Sequence, residues 1–201
     1  MADDNLDLLN LTARGDDPGN STTFELAVTE SVCTPIRFLY GGSGIAASVE
    51  ASERATGRPV QWITTQFLGS PTPGDIVRFD VDVAVTGKAT SQTRVTGHVG
   101  DQLVLAALCA HNVRPHGDER AFATMPDLPG PDDSGPCVEI FDRPLEGSFF
   151  DHFERRIAAG RRGREAAGSP QDGPLALWCR LTDSATGSAA SQAFVADLGP
   201  L

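Results

Sequence analysis

The sequence predicts an α+β fold in which a single helix is wrapped by an antiparallel sheet. Three observations carry this. Residues 43–56 form a helical stretch built from Ala46, Ala47, Ala51 and Ala55, with Ile45 and Val49. Such small side chains make a poor surface stripe but suit a helix lying close against a curved sheet. Gly57 and Pro59 then stop it, glycine just past the last turn and proline beyond. Four strand-like runs follow with no further helix between them.

The elements read as follows. Residues 4–12 predict a short amphipathic helix, with Leu6, Leu9 and Leu8 toward one side, and 14–21 a Gly/Asp/Pro/Asn loop. Residues 24–33 predict a first strand, with Phe24, Leu26 and Val28 on one face. Gly41 and Gly42 open the helix. Of the four later strands, 60–68, 75–86, 89–99 and 102–113, the second is clearest. Val77, Phe79, Val81, Val83 and Val85 share one face, while Arg78, Asp80 and Asp82 fall on the other, as in a sheet wet on one side. Gly87-Lys88 and Gly100-Asp101 supply the turns, and the last run is apolar on both faces, which predicts a central strand.

Residues 116–136 carry proline, glycine and acid without periodicity, and read as a linker. The pattern then restarts: a strand at 149–157, a Gly/Arg-rich loop at 159–174, a strand at 175–182 (LALWCRLT), and a small-residue helix at 188–198 that echoes the first. This predicts a first unit at 1–115, a linker at 116–136, and a second unit at 137–201. The second unit is expected to be incomplete, because no four strands follow its helix. The bare inner face of that helix predicts a homo-oligomer.

Composition limits the function. Hydrophobic residues make up 40% of the 201 and charged residues 21%, ordinary values for a chain that builds a core without disulfides. A formal net charge of -11 argues against nucleic acid, which needs a basic face. Cys33, Cys109, Cys137 and Cys179 form no CxxC pair and have no histidine at zinc-finger spacing, so neither metal nor cofactor is expected. Cys109, in an apolar run, reads as a small buried hydrophobe. Asp3, Asp4 and Asp7 stand where a signal peptide would be basic, and no apolar run reaches the roughly 20 residues that span a bilayer. The expectation is a soluble, reduced, cytoplasmic protein.

Five segments carry a resemblance: LYGGSGIAASVEA, TTQFLGSPTPGD and LCAHNVRP in the first unit, ALWCRLTD and AFVADLGP in the second. In their order and spacing the chain resembles the acyl-CoA thioesterase II type of double hot-dog protein, over most of residues 6–201. The resemblance implies two hot-dog units side by side with joined sheets and packed helices, and hydrolysis of acyl-CoA to free acid and CoA. It implies a catalytic Asp near the end of the second helix, working with a Ser/Thr and a Gln on later strands. Asp197 matches that Asp; the other two have no counterpart before Leu201.

The chemistry asks for the same kinds of group. Thioester hydrolysis needs a proton acceptor for water and donors for the developing oxyanion. Asp197 could be that acceptor, or a solvated or capping carboxylate. Gly41 and Gly42 are the candidate substrate-binding residues; they could offer backbone N–H donors at a helix N-terminus, or serve only as tight-turn residues. Arg155, Arg156, Arg161, Arg162 and Arg164 read as a solvated loop or as contacts for CoA phosphates. No GxSxG elbow supports a serine nucleophile. FFDHFE around His152 is similar to the His-Phe signature of hot-dog acyl dehydratases, without its glycine and proline context. That keeps a dehydratase or hydratase as one alternative; a non-catalytic acyl-thioester binding or oligomerisation module is the other. His98 and His111 read as strand-face residues, and Trp62 and Trp178, at matching strand positions, as core or interface anchors.

Overall fold

The computed structural model describes residues 7–15, 22–114, 123–137, 146–160, 175–182 and 187–198. Its first sheet holds β1 (Thr12–Arg14), β2 (Thr23–Ala27), β3 (Val60–Phe67), β4 (Ile76–Thr86), β5 (Thr90–Val99) and β6 (Gln102–Asn112). The six strands run in the order β1-β2-β4-β5-β6-β3, each pair antiparallel. β6 is interior, as its apolar faces require, and β3 is an edge. Helix α1 (Gly41–Thr56) lies in the curve of this sheet. Phe24, Leu26, Val77, Phe79, Val81, Val95, Leu105, Ala107 and Cys109 close over it, all buried. Residues from Gly42 to Ser52 are buried except Ile45, so a wider stripe of large side chains would not fit between helix and strands.

Packing a helix this closely leaves its polar groups to be satisfied internally. Ser43, Ser48 and Ser52 donate to the carbonyls of Val32 (3.0 Å), Gly44 (2.8 Å) and Val49 (3.0 Å). Buried Glu50 meets Arg54, one turn on, whose guanidinium also donates to the Leu11 carbonyl at 2.7 Å and covers the Phe24 ring. Gly57 ends the helix in the left-handed region (φ 64), its N–H returning to the Glu53 carbonyl.

A second, antiparallel sheet holds β7 (Gly135–Pro136), β8 (Phe153–Ala159) and β9 (Ala176–Leu181). Helix α2 (Ala189–Ala196) follows, capped by Ser188, whose hydroxyl accepts from Ser191 N–H. α2 packs on α1. Between α1 and the second sheet lies an aromatic cluster: Tyr40 stacks on Phe149 with ring centres 3.8 Å apart, and Phe194 meets Tyr40 edge-on and stacks on Phe153.

Several local readings need correction. Of the helix read at 4–12, the described part is one 3-10 turn (Asp7–Leu9); Asn10 breaks it with φ 44, and Thr12 already belongs to β1. β2 ends at Ala27 and a 3-10 turn (Glu30–Val32) replaces the rest of the strand. Phe149–His152 is likewise a 3-10 turn ahead of β8, because Phe149 and Phe150 both turn into the core. A bulge between Val83 and Val85 shifts the alternation, so Val85 is exposed although Val77, Phe79 and Val81 point inward. A second bulge, between Val60 and Trp62, turns Trp62 out to solvent, so it is no core anchor. Trp178 is half-buried and donates to the Pro129 carbonyl at 2.8 Å. Leu6, the loop at 16–21 and most of 159–174 lie outside the described residues.

Candidate functional site

The three residues singled out from the sequence meet where the two helices touch. α1 begins at Gly41, after Tyr40 in extended conformation, and no side chain of Tyr40 caps it. The first N–H groups of a helix have no partner within it. The carboxylate of Asp197, at the C-terminal cap of α2, stands against this N-terminus, where a Gly41 side chain would otherwise lie, and the Gly42 N–H favours its charge. A negative charge there also answers the positive end of the α1 dipole.

The glycines are what permit the approach. A Cβ on Gly41 would fall within 3.0 Å of the Asp197 carboxylate, with the Phe67 ring edge at 3.0 Å. A Cβ on Gly42 would fall within 3.0 Å of the Tyr40 ring and of the Phe194 carbonyl, which is backbone and cannot swing away. Both lie inside the helix, so they are not turn residues ahead of it. The Tyr40 hydroxyl donates to the same Phe194 carbonyl at 3.0 Å, tying α2 to the start of α1.

This setting alters acidity. Burial of the carboxyl group pushes the Asp197 pKa up, and the Gly42 N–H partly offsets it by holding the anion. Residue 197 as a whole remains exposed, and its carboxylate is more basic than usual. Burial raises the Tyr40 phenol strongly, with the Asp197 charge adding to it, so Tyr40 stays a neutral donor. The arrangement offers a proton acceptor beside a helix N-terminus, what a water-activating site requires. Beside it, Arg155, Leu175, Leu177, Cys179, Val195 and Leu198 border a groove of about 230 Å³.

Other candidates lie elsewhere. Arg155 and Arg156 are on β8, not in a loop: Arg155 covers the Phe150 ring, and Arg156 shares Glu154 with Arg180. Arg161, Arg162 and Arg164 lie outside the described residues. The His152 ring meets the Ser31 carbonyl at 3.1 Å and so ties the start of β8 to the 3-10 turn before α1. His111 is buried between Thr93 and the Arg58 carbonyl, and His98 lies near Asp80. Among the described residues no cluster of His, Cys, Asp and Glu is placed to hold a metal, and no helix is long and apolar enough to cross a membrane. Sequence reasoning missed Tyr40, Phe67 and Phe194. The chain has 1 tyrosine, and its place directly before the glycine pair was the available signal.

No family model and no curated protein matches the chain. Solved structures do. A candidate thioesterase from Novosphingobium aromaticivorans matches with TM-score 0.78 and 27% identity, over 92% of this chain and 70% of its own. A hot-dog-fold protein of unknown function from Alicyclobacillus acidocaldarius matches with TM-score 0.77 and 19% identity, over 94% of this chain and 67% of its own. An acyl-CoA thioesterase II from Mycobacterium marinum matches with TM-score 0.66 and 18% identity, over 95% of this chain and 67% of its own. The last two likenesses concern the fold. In each case this chain spans about two thirds of the other's length. With an antiparallel sheet wrapped around α1 and a second helix packed on it, the chain has the hot-dog fold, and along nearly all its residues it is similar to a candidate thioesterase.

Proposed function

We propose that this chain acts on acyl-CoA thioesters, hydrolysing them to free acid and CoA, with Asp197 activating the water. The observation that carries this reading is the Asp197 carboxylate packed against the glycine N-terminus of α1, on an exposed residue and with a raised pKa. Asp197 takes a proton from water as its oxygen attacks the thioester carbon. The oxyanion collapses, the C–S bond breaks, and the CoA thiolate leaves and takes up a proton. The N–H of Gly41, the first residue of α1, is the backbone donor proposed for the oxyanion. The two units are proposed to divide at 1–115 and 137–201. Thiols at Cys33 and Cys109 suit a reducing compartment such as the cytoplasm.

Release of free thiol from a panel of acyl-CoAs tests the reading. Asp197→Asn is expected to lower kcat by about 10²–10⁴-fold, the usual worth of a general base, with less effect on KM. Equal rates in the two proteins remove Asp197 from the mechanism. Acyl-CoA binding without turnover by the wild type supports the binding-module reading.

A further inference from the structure

We infer that the open edge of β3 is a docking surface for a second copy of this chain, the two β3 strands pairing antiparallel about a two-fold axis at Thr65. This surface is independent of the chemistry proposed for Asp197.

The first sheet has two edges, and they are built differently. β1 is 3 residues long and carries Arg14, ion-paired to Glu25. Short, charged edges resist pairing with another chain. β3 is 8 residues long, and no charged residue occurs from Pro59 to Gly74. In a chain of net charge -11, a second copy can approach this segment with little repulsion. Among the described residues no strand lies beside it on the side away from β6. Trp62, Phe67 and Leu68 are 56%, 50% and 51% exposed along it. A long, uncharged edge with large apolar side chains is a template for strand pairing.

The backbone selects the pairing. Leu68 N–H donates to the Val104 carbonyl of β6 at 2.8 Å. Residues of an antiparallel ladder alternate in direction, so Trp62, Thr64 and Gln66 also turn their backbone groups toward β6. Ile63, Thr65 and Phe67 turn theirs to the open edge. A second β3 running antiparallel about Thr65 sets Thr65 opposite Thr65 and Ile63 opposite Phe67. Each of these residues then exchanges both backbone hydrogen bonds with its opposite.

The side chains match in the same register. Ile63 meets Phe67 on the face toward α1. On the outer face Trp62 meets Leu68, and Thr64 meets Gln66. Displacing the strands by two residues loses the match: Trp62 then meets Gln66 and Ile63 meets Thr65, or Leu68 meets Thr64 and Phe67 meets Thr65. A slip of one residue puts opposed side chains on different faces. At the axis, the Thr65 hydroxyl is buried with no hydrogen-bond partner among the described residues. Opposed threonines bond hydroxyl to hydroxyl, which relieves the cost of an unpaired polar group. The pairing also covers Phe67, whose ring flanks Gly41 beside the Asp197 carboxylate.

The test is sedimentation velocity on the full chain across a dilution series, with circular dichroism confirming that the variants fold. Two double variants change the same exposed positions of β3. Thr64→Lys with Gln66→Lys sets like charges opposite each other on both sides of the axis. Thr64→Lys with Gln66→Glu sets opposite charges there. The expected result is a reversible wild-type dimer, a dimer dissociation constant raised roughly tenfold or more in the first variant, and one near wild type in the second. Thr65→Val, which removes the hydroxyl, is expected to weaken the dimer severalfold. A wild-type protein that stays monomeric at every concentration overturns the assignment. So does a first variant that dimerises as well as wild type, which places the contact on another face. Equal weakening in the two double variants overturns the pairing about Thr65.

Discussion

Substituting Gly42 by alanine probes the contact on which the whole site depends. Two opposed effects decide the outcome. Alanine is the better helix former, by up to about 1 kcal/mol. Against this, its methyl group would sit within 3.0 Å of both the Tyr40 ring and the Phe194 carbonyl. The ring can tilt a little, but it is stacked on Phe149 and 5% exposed, and the carbonyl belongs to the backbone of α2. The helices must separate, and overpacking of this kind costs about 1–3 kcal/mol. Separation also stretches the 3.0 Å Tyr40–Phe194 hydrogen bond, worth about 1 kcal/mol. The net expectation for Gly42→Ala is a loss of about 1–3 kcal/mol, read from urea unfolding. Gly57→Ala is the control. It also lies at a helix end, with φ 64, but nothing stands within 4 Å of its Cβ, so it costs only the left-handed backbone penalty, about 1–2 kcal/mol. The two are told apart at Tyr40. As the chain has 1 tyrosine, fluorotyrosine labelling yields a single ¹⁹F resonance. It should move in Gly42→Ala and stay in Gly57→Ala. A Gly42→Ala protein as stable as wild type, with an unmoved resonance, refutes the close-packing argument.

Three further outcomes follow from other contacts. The Asp197 pKa is raised from 3.8 in the fold, so the unfolded chain releases this proton first, and the contribution to stability falls as pH rises from 3.8 through the folded value. Asp197→Asn should flatten that slope in urea midpoints measured across pH without destabilising the protein at neutrality; an unchanged slope removes the effect. His111 has the opposite sign: burial lowers its pKa from 6.5, so stability is lost as pH falls below 6.5 toward the folded value. The Arg58 carbonyl at 2.9 Å can only accept, which places the neutral ring's proton on Nδ1 and lets Nε2 accept from Thr93 at 3.1 Å. His111→Gln should lose the acid-side decline between the two pKa values, and a decline of wild-type size in that variant refutes the assignment. Phe194→Ala empties a fully buried site between Tyr40 and Phe153, at a cost of about 3–5 kcal/mol. Wild-type stability in that variant would show that α2 does not depend on the aromatic cluster.

What the sequence determined by itself was what is written in local spacing. The small-residue stretch with Gly57 behind it specified α1 almost to the residue, because helix stops act through the backbone of the same few positions. Period-two alternation specified β4 to β6 and the buried face of Val77, Phe79 and Val81, because successive strand residues point to opposite sides. The same rule misplaced Val85, where one extra residue in a strand reverses every later side chain and nothing in the pattern announces it. Phe149 and Phe150 read as part of a strand, but a core on two sides at once favoured a turn that buries both. Gly41, Gly42 and Asp197 were each visible as residue types, yet either glycine could have been a turn and the aspartate a solvated cap. Only the packing of α2 on α1 brought the carboxylate to the glycines at the start of α1, and brought Phe194 to Tyr40 across 154 positions of chain. That contact depends on two missing side chains and a distant carbonyl meeting in space, a coincidence that no local pattern of residues encodes.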